Sequence, residues 1–269
     1  MIVPAPHDIG KWLPVSLDFK RPQIQATIGS WITMAHPAVA EIMAKSGFDW
    51  LVIDMEHTSV TPAQAEDIIR VINLCGLPAF ARVGANDPLI IKRVMDCGAS
   101  GVIVPMVNTP LQAEKAVAAV KYPPVGERGV GLNRAQFYST AFEPYRQWAN
   151  EKSTVIVQIE HIDAVHNIDA ILSVEGVDGF IVGPYDLSAS LGIPGQFDHP
   201  DFIAASKIIQ STLASGAKPG GFHVVQPDAA MAQDKIDNGY RFLALGIDFL
   251  FLGDACRMEV SRLKTAMAS

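Results

Sequence analysis

Residues 50–57 read WLVIDMEH. Four apolar residues run unbroken into Asp54, and Glu56 and His57 follow. An unbroken apolar run of this length suits a parallel strand buried on both faces. The polar residues arrive only at its end. The same pattern recurs along the chain. Candidate strands lie at 24–31 (the QIQATIGS region into Trp31), 50–55 (WLVIDM), 78–83 (PAFARV) and 101–107 (GVIVPMV). They continue at 154–160 (TVIVQIE), 179–183 (GFIVG), 219–225 (PGGFHVV) and 242–247 (FLALGI).

Helical patterns separate these runs. Pro37 to Ser46 opens with proline at a first-turn position and stops before Gly47, as helices prefer. Thr61-Pro62 starts a second helix running to Gly76. Asn86-Asp87-Pro88 caps a third, which ends before Gly98, and Thr109-Pro110 begins a fourth. Later helices are expected at 162–174, 200–215, 227–238 and 254–267. Strands alternating with helices imply a parallel sheet. Eight such repeats favour closure into an α/β architecture, the (β/α)8 TIM barrel, over an open sheet. The stretch YPPVGERGVG (122–131) and the aromatic-rich segment to Trp148 read as one long loop between strands four and five. No linker composition appears. The chain is expected to be a single barrel domain over 1–269, with residues 1–20 an irregular N-terminal extension.

The length of 269 residues and the 49% hydrophobic content suit one such barrel. The net charge of -7 and the lack of a Lys/Arg run argue against nucleic-acid binding, which needs a basic face. An anionic substrate is still compatible, because a placed arginine or a metal can override the global charge. Cys75, Cys97 and Cys256 form no C-x-x-C pattern, and their odd number suits a reducing cytoplasm. All three are expected to be buried small hydrophobes. The first residues, with Pro4, Pro6, His7 and Asp8, do not read as a signal peptide, and no apolar run of membrane-spanning length is seen.

Barrel chemistry gathers where strands end, and the unusual polar residues sit there. Asp54, Glu56 and His57 follow strand two, and Arg82 ends strand three. Gln158, Glu160 and His161 end strand five, Tyr185 and Asp186 follow strand six, and His223 lies in strand seven. Glu160 and Asp186 stand about one βα unit apart, at neighbouring strand tips. Two carboxylates with open positions suit a hard divalent cation that keeps waters for a substrate to displace. The structural alternative is a helix-capping Asp186 and an Arg-paired Glu160. Arg82 could neutralise an oxyanion or grip a carboxylate, or it could be a structural partner of Glu56 or Glu160. His57 is the best acid/base candidate, with a hydrogen-bonded scaffold residue as the alternative. His161 and His223 rank behind it. His7 and His199 fall in loops and His166 on a helix.

Other chemistries lack their signatures. Gly126 to Gly131 does not carry the phosphate-loop pattern and does not follow a strand. Neither a dinucleotide fingerprint nor a G-x-S-x-G elbow is present. Lys92, Lys115, Lys121 and Lys218 fall on helices, at a helix end or before a strand, so a Schiff-base mechanism is disfavoured.

The blocks GFDWLVIDMEH (47–57), IKRVMDCGASGVIVPMV (91–107), YPPVGERGVG (122–131), QIE (158–160) and GPYDLSASLG (183–192) together resemble the HpcH/HpaI family of class II pyruvate aldolases. The similarity runs in order over about residues 20–258. It implies a metal-dependent carbon–carbon lyase that joins a pyruvate-like 2-oxo acid to an aldehyde, or cleaves the product. It implies Glu160 and Asp186 as metal ligands for Mg2+ or Mn2+, with Co2+ a third option. It implies Arg82 at the 2-oxo oxygen, His57 as acid/base, and Gln158 around pyruvate. Asp54 and a strand-four acidic position, Asp96, would support the histidine. In the family the latter comes from a neighbouring subunit, commonly within a homohexamer. Two departures border the pocket: Tyr185 stands where relatives often have a small residue, and His161 where they often have serine. They bear on the aldehyde rather than on the chemistry. Other readings are a citrate-lyase-type lyase, an oxaloacetate decarboxylase, and a non-catalytic barrel that only binds a 2-oxo acid. The joint presence of Arg82, Glu160 and Asp186 argues against the last.

Overall fold

The computed structural model describes residues 13–17 and 25–268. Eight parallel strands close into a barrel in chain order, and β8 returns to pair with β1. They are β1 (Thr27–Ile32), β2 (Trp50–Asp54), β3 (Ala79–Arg82), β4 (Gly101–Val104), β5 (Thr154–Ile159), β6 (Gly179–Val182), β7 (Gly220–Val224) and β8 (Phe242–Ile247). Each expected strand has its counterpart.

The helices begin where the sequence places their start signals. Proline opens α1 (Pro37–Ala44), α2 (Pro62–Leu74), α3 (Pro88–Asp96) and α4 (Pro110–Val120). Its missing N–H costs nothing there, because first-turn donors have no partner within a helix. Thr61 with Gln64, and Thr109 with Gln112, form reciprocal capping boxes.

Strand alternation divides the core in two. Along β2, Leu51 and Ile53 face the surrounding helices, where they join Ile68, Ile69 and Ile72 of α2. Trp50 and Val52 face inward and meet Trp31, Phe80, Ile103, Ile156, Ile181 and Phe242. This is the two-residue period of a pleated strand wrapped around a closed axis. Inside, large residues sit opposite small ones. Trp50 packs edge-on against Phe80 and Phe242, with ring centroids 6.0 and 5.9 Å apart. Gly29 and Gly221 leave the room: a Cβ on Gly29 would enter the Trp50 ring, and one on Gly221 would enter Phe242.

Several expectations change. The 122–148 segment is not one loop. It holds a single 3-10 turn at Arg134–Gln136 and then α5 (Phe142–Lys152), which buries Tyr145, Trp148 and Ala149. The expected helix 162–174 is two, α6 (Ile162–His166) and α7 (Ile168–Leu172). They part at Asn167, whose ψ of 7° is non-helical and whose side-chain amide donates to the Asn108 carbonyl at 2.9 Å. Residues after strand six form α8 (Pro184–Ser190), followed by α9 (Pro200–Ser215) and α10 (Ala229–Asp237). The last helix, α11 (Asp248–Ala268), starts earlier than the expected 254. Asp248 sets that start by accepting the backbone N–H groups of Thr33, Met34 and Phe249. Of the cysteines only Cys97 is buried; Cys256 is exposed on α11. Most of the expected N-terminal extension lies outside the described residues, but Leu17 packs against the inner cluster. Among the described residues no helix is long and apolar enough to cross a membrane.

Gly29→Ala is expected to destabilise the protein by about 1–3 kcal/mol through overpacking against Trp50. Urea unfolding measures this, and a midpoint equal to wild type would mean the inner layer yields at no cost.

Candidate active site

The inward parity of the strands continues above the apolar layer. On β2 the series Trp50, Val52 reaches Asp54, and on β3 Phe80 is followed by Arg82. On β5 Ile156 is followed by Gln158, with Glu160 two residues further. Trp31 of β1 and His223 of β7 share this parity. Register puts Asp54 directly beside Arg82. The pair forms a fork: Arg82 Nε donates to Asp54 Oδ1 at 2.9 Å and Nη2 to Oδ2 at 2.8 Å. Glu56 Oε2 lies 3.3 Å from the same Nε. The Arg82 guanidinium lies 4.3 Å above the Trp31 ring, and Trp31 is 5.2 Å from the His223 ring. Thus Arg82 is held by charge on one side and by an aromatic face on the other.

Glu160 is almost fully buried. Its Oε1 accepts the Met106 backbone N–H at 2.7 Å, and its Oε2 accepts from the Gln158 amide. Met106 has φ +53°, a left-handed conformation that aims this N–H at the carboxylate. Gly183 crowds Glu160 from the other side, where a Cβ would fall 2.9 Å from Oε2. Asp186 lies in the first turn of α8, where a carboxylate suits the helix dipole. It lines a cavity of about 70 Å³ together with Trp31, Arg82, Gln158, Tyr185 and His223.

The electrostatics follow from burial. Burial pushes the Glu160 carboxyl up to about 7; the Met106 N–H opposes it, while the charges of Glu56 and Asp186 add to it. Burial also pushes Glu56 up to about 6, with Arg82 opposing and Asp54 and Asp186 adding. Burial works to raise Asp54 too. There the hydrogen bonds and charge of Arg82, and the N–H groups of Glu56 and His57, outweigh it and hold the carboxyl below its usual range. Burial, and then the Arg82 charge, hold His223 down at about 4.

A divalent cation fits this site on two observations. A buried carboxylate beside like charges is costly without a positive counterpart. Two buried acceptor oxygens at the mouth, Glu56 Oε2 and Gln158 Oε1, also have no hydrogen-bond partner among the described residues. Among the described residues no group of three or more His, Cys, Asp or Glu side chains is arranged to hold a metal. Glu160 and Asp186 alone would supply the protein ligands, as suits a hard cation that keeps waters.

Most of the expected residues come together: Asp54, Arg82, Gln158, Glu160, Tyr185 and Asp186. His57 joins only loosely. Its side chain is 62% exposed and lies 3.7 Å from Glu56 Oε2. Asp54 reaches His57 through the backbone N–H at 3.3 Å rather than through the ring. Asp96 needs correction. It is not a strand-four residue but the last residue of α3, at the end of the barrel where strands begin. There it pairs with buried Arg128 at 2.6 Å. Arg128 also contacts the Tyr145 hydroxyl at 3.2 Å and lies 4.6 Å over the Tyr122 ring, so it cannot receive a substrate carboxylate in its own chain. Arg134 likewise turns to the Cys97 carbonyl, at 2.7 Å. Trp31 and Met106 were not singled out from sequence. The parity of β1 could have indicated Trp31. Nothing in the sequence marks Met106, whose part is played by its backbone.

The fold and this mouth define a class: a (β/α)8-barrel enzyme with a carboxylate pair beside a fixed arginine. Residues 27–255 match the HpcH/HpaI aldolase/citrate lyase family. The chain is 41% identical over 225 residues to a hydroxypyruvate/pyruvate aldolase of Sagittula stellata, covering 83% of this chain and 88% of that one. It is 38% identical over 249 residues to a 2-keto-3-deoxy-L-rhamnonate aldolase of Escherichia coli K12, covering 90% of each. A crystal structure of an HpcH/HpaI aldolase/citrate lyase family protein from Burkholderia cenocepacia superposes with a TM-score of 0.84 at 32% identity, covering 89% of this chain and 95% of that one. The chain belongs to the HpcH/HpaI aldolase/citrate lyase family, a class II pyruvate aldolase family in which dependence on a divalent metal is shared. It is a carbon–carbon lyase.

Two expectations follow from the site. Met106→Gly keeps the N–H and relieves the left-handed backbone, which offsets the entropy glycine adds to the unfolded chain. Its stability and Mn2+ affinity should match wild type, whereas Met106→Val should weaken Mn2+ binding. Calorimetric titration checks this, and equal affinity in the two variants would sever the link. His223 has a folded value near 4, below the 6.5 of an unfolded histidine. Its neutral form therefore stabilises the fold, fully above pH 6.5, and this is lost as pH falls toward 4. The amount is about 3 kcal/mol. In urea unfolding, His223→Phe should lose less stability than wild type across that window; parallel losses would contradict the assignment.

Proposed function

We propose that this aldolase uses Glu160 and Asp186 to hold Mg2+ or Mn2+ and enolises pyruvate or a close 2-oxo acid for addition to an aldehyde. The observation that carries this reading is the Asp54–Arg82 fork beside the buried Glu160 carboxylate. The bound cation would act as a Lewis acid toward the 2-oxo group.

The protein's own residues do the rest. Asp54 occupies Arg82 Nε and Nη2, which fixes the guanidinium and leaves Nη1 outside the fork. Arg82 donates to the 2-oxo oxygen as a C3 proton passes, through a water, to His57 and negative charge grows on that oxygen. A fixed donor at a developing oxyanion is worth about 3–4 kcal/mol in the transition state. Because Arg82 is already oriented, little reorganisation is needed at that moment. Gln158 holds Glu160 in place and presents its free Oε1 to the pocket. His57, at the solvent edge, gives a proton to the new alkoxide or takes one in cleavage, through a water where direct reach is lacking. Asp96 can act only from a neighbouring copy.

A homohexamer completes this reading. The number of copies comes from the family resemblance alone; association itself is supported by α11, which leaves Leu252, Val260, Leu263 and Met267 exposed. Exposed apolar residues along a long helix call for cover.

EDTA should abolish pyruvate–aldehyde addition, and Mn2+ or Mg2+ should restore it. Glu160→Gln should weaken Mn2+ binding in calorimetry as well as turnover. Activity that survives chelation but is lost on borohydride treatment with pyruvate would overturn the metal mechanism.

A further inference from the structure

The walls of the mouth differ from its floor. Glu160 ends β5, and an exposed apolar side chain stands beyond the end of each neighbouring strand. After β4 comes Met106, 46% exposed, whose own N–H is bonded to Glu160. After β6 comes Tyr185, 56% exposed, next to Asp186 and lining the same cavity. Tyr185 is not a loose surface ring. It packs edge-on against Phe197 with centroids 5.1 Å apart at 80°, and Phe197 packs on Phe202 at 5.2 Å. A rigid aromatic face held open beside reactive groups is a contact surface for a ligand. The apolar lining continues beside Tyr185 in Ile181, Val182, Pro184 and Val225.

The charges around these walls are one-sided. Arg82 is the only Lys or Arg among the described residues that line the cavity, and Asp54 already grips it. Arg128 and Arg134 are turned to the far end of α3. The rim carries Glu56, exposed Asp186 and exposed Asp163. Among the described residues that line the cavity, a second carboxylate meets like charge and no lysine or arginine besides Arg82, whose remaining donor serves the 2-oxo oxygen, which costs binding.

We propose that Tyr185 selects the aldehyde, and that the preferred acceptor is an uncharged aldehyde with an apolar or aromatic body rather than one bearing a carboxylate. This rests on the aldolase reading above and names its second substrate class.

Exchange of the pyruvate C3 protons in D2O, with Mn2+ and no aldehyde, tests the underlying reading alone; without exchange that reading fails. The acceptor is then tested with butanal against 4-oxobutanoate, which share a four-carbon skeleton and differ by a carboxylate. Wild type should show a kcat/KM at least about tenfold higher for butanal. Equal values, or a preference for 4-oxobutanoate, would overturn the inference. In Tyr185→Ala the kcat/KM ratio of benzaldehyde to acetaldehyde should fall about tenfold, the size of one aromatic contact. Tyr185→Phe should retain the ratio, because the face and not the hydroxyl makes the contact. A ratio unchanged in Tyr185→Ala would also overturn it.

Discussion

Closing eight parallel strands around one axis forces alternate residues of every strand into a shared interior. That constraint governs the rest of this molecule. The lower interior positions hold Trp50, Phe80, Ile156, Ile181 and Phe242, a dry plug that excludes water from below. The next inward position above Val52, Phe80 and Ile156 holds Asp54, Arg82 and Gln158. The functional residues are therefore a continuation of the core pattern by one pleat, with the chemistry changed from apolar to polar. Shifting one strand by a single residue would turn its polar residue outward into the helices.

The plug also sets the electrostatics. Because it is dry, carboxylates placed on top of it lose much of their hydration, and their charges act on one another through a poorly screening medium. Asp54 escapes through Arg82 and stays charged. Glu160 and Glu56 do not, and burial lifts both. Such a site is held ready for positive charge and for oxygen atoms that gain negative charge, which are the demands of enolisation. The cost of assembling it is borne by the apolar layers on both sides of the sheet.

The opposite end of the barrel answers a different need. Arg128 and Asp96 form a buried ion pair capped by Tyr145 and Tyr122. This pins the 122–148 segment and α5 onto α3. A buried pair of this kind does little for net stability but strongly disfavours other packings of the segment. It explains why a stretch rich in glycine and proline is ordered, and why its arginines are unavailable to a substrate.

From the sequence alone, the eight strands, the helix starts and most of the acidic mouth were legible. Each depends on local chemistry: apolar runs of strand length, proline at first turns, threonine caps, and polar residues where apolar runs end. Family resemblance then assigned roles to Glu160, Asp186, Arg82 and His57. Other features were not legible. α5 hid in an aromatic-rich segment because its helix is stabilised by burying Tyr145, whose hydroxyl donates to the Met95 carbonyl of α3, with Trp148 stacked on it, a contact between distant parts of the chain. Asp96 was placed on strand four by resemblance alone; the sequence's own helix, ending before Gly98, already held it at the close of α3. The left-handed backbone of Met106 and the open aromatic wall at Tyr185 exist only because the barrel brings β4, β5 and β6 side by side. Local pattern determined which residues could be functional; closure of the barrel decided which of them face one another.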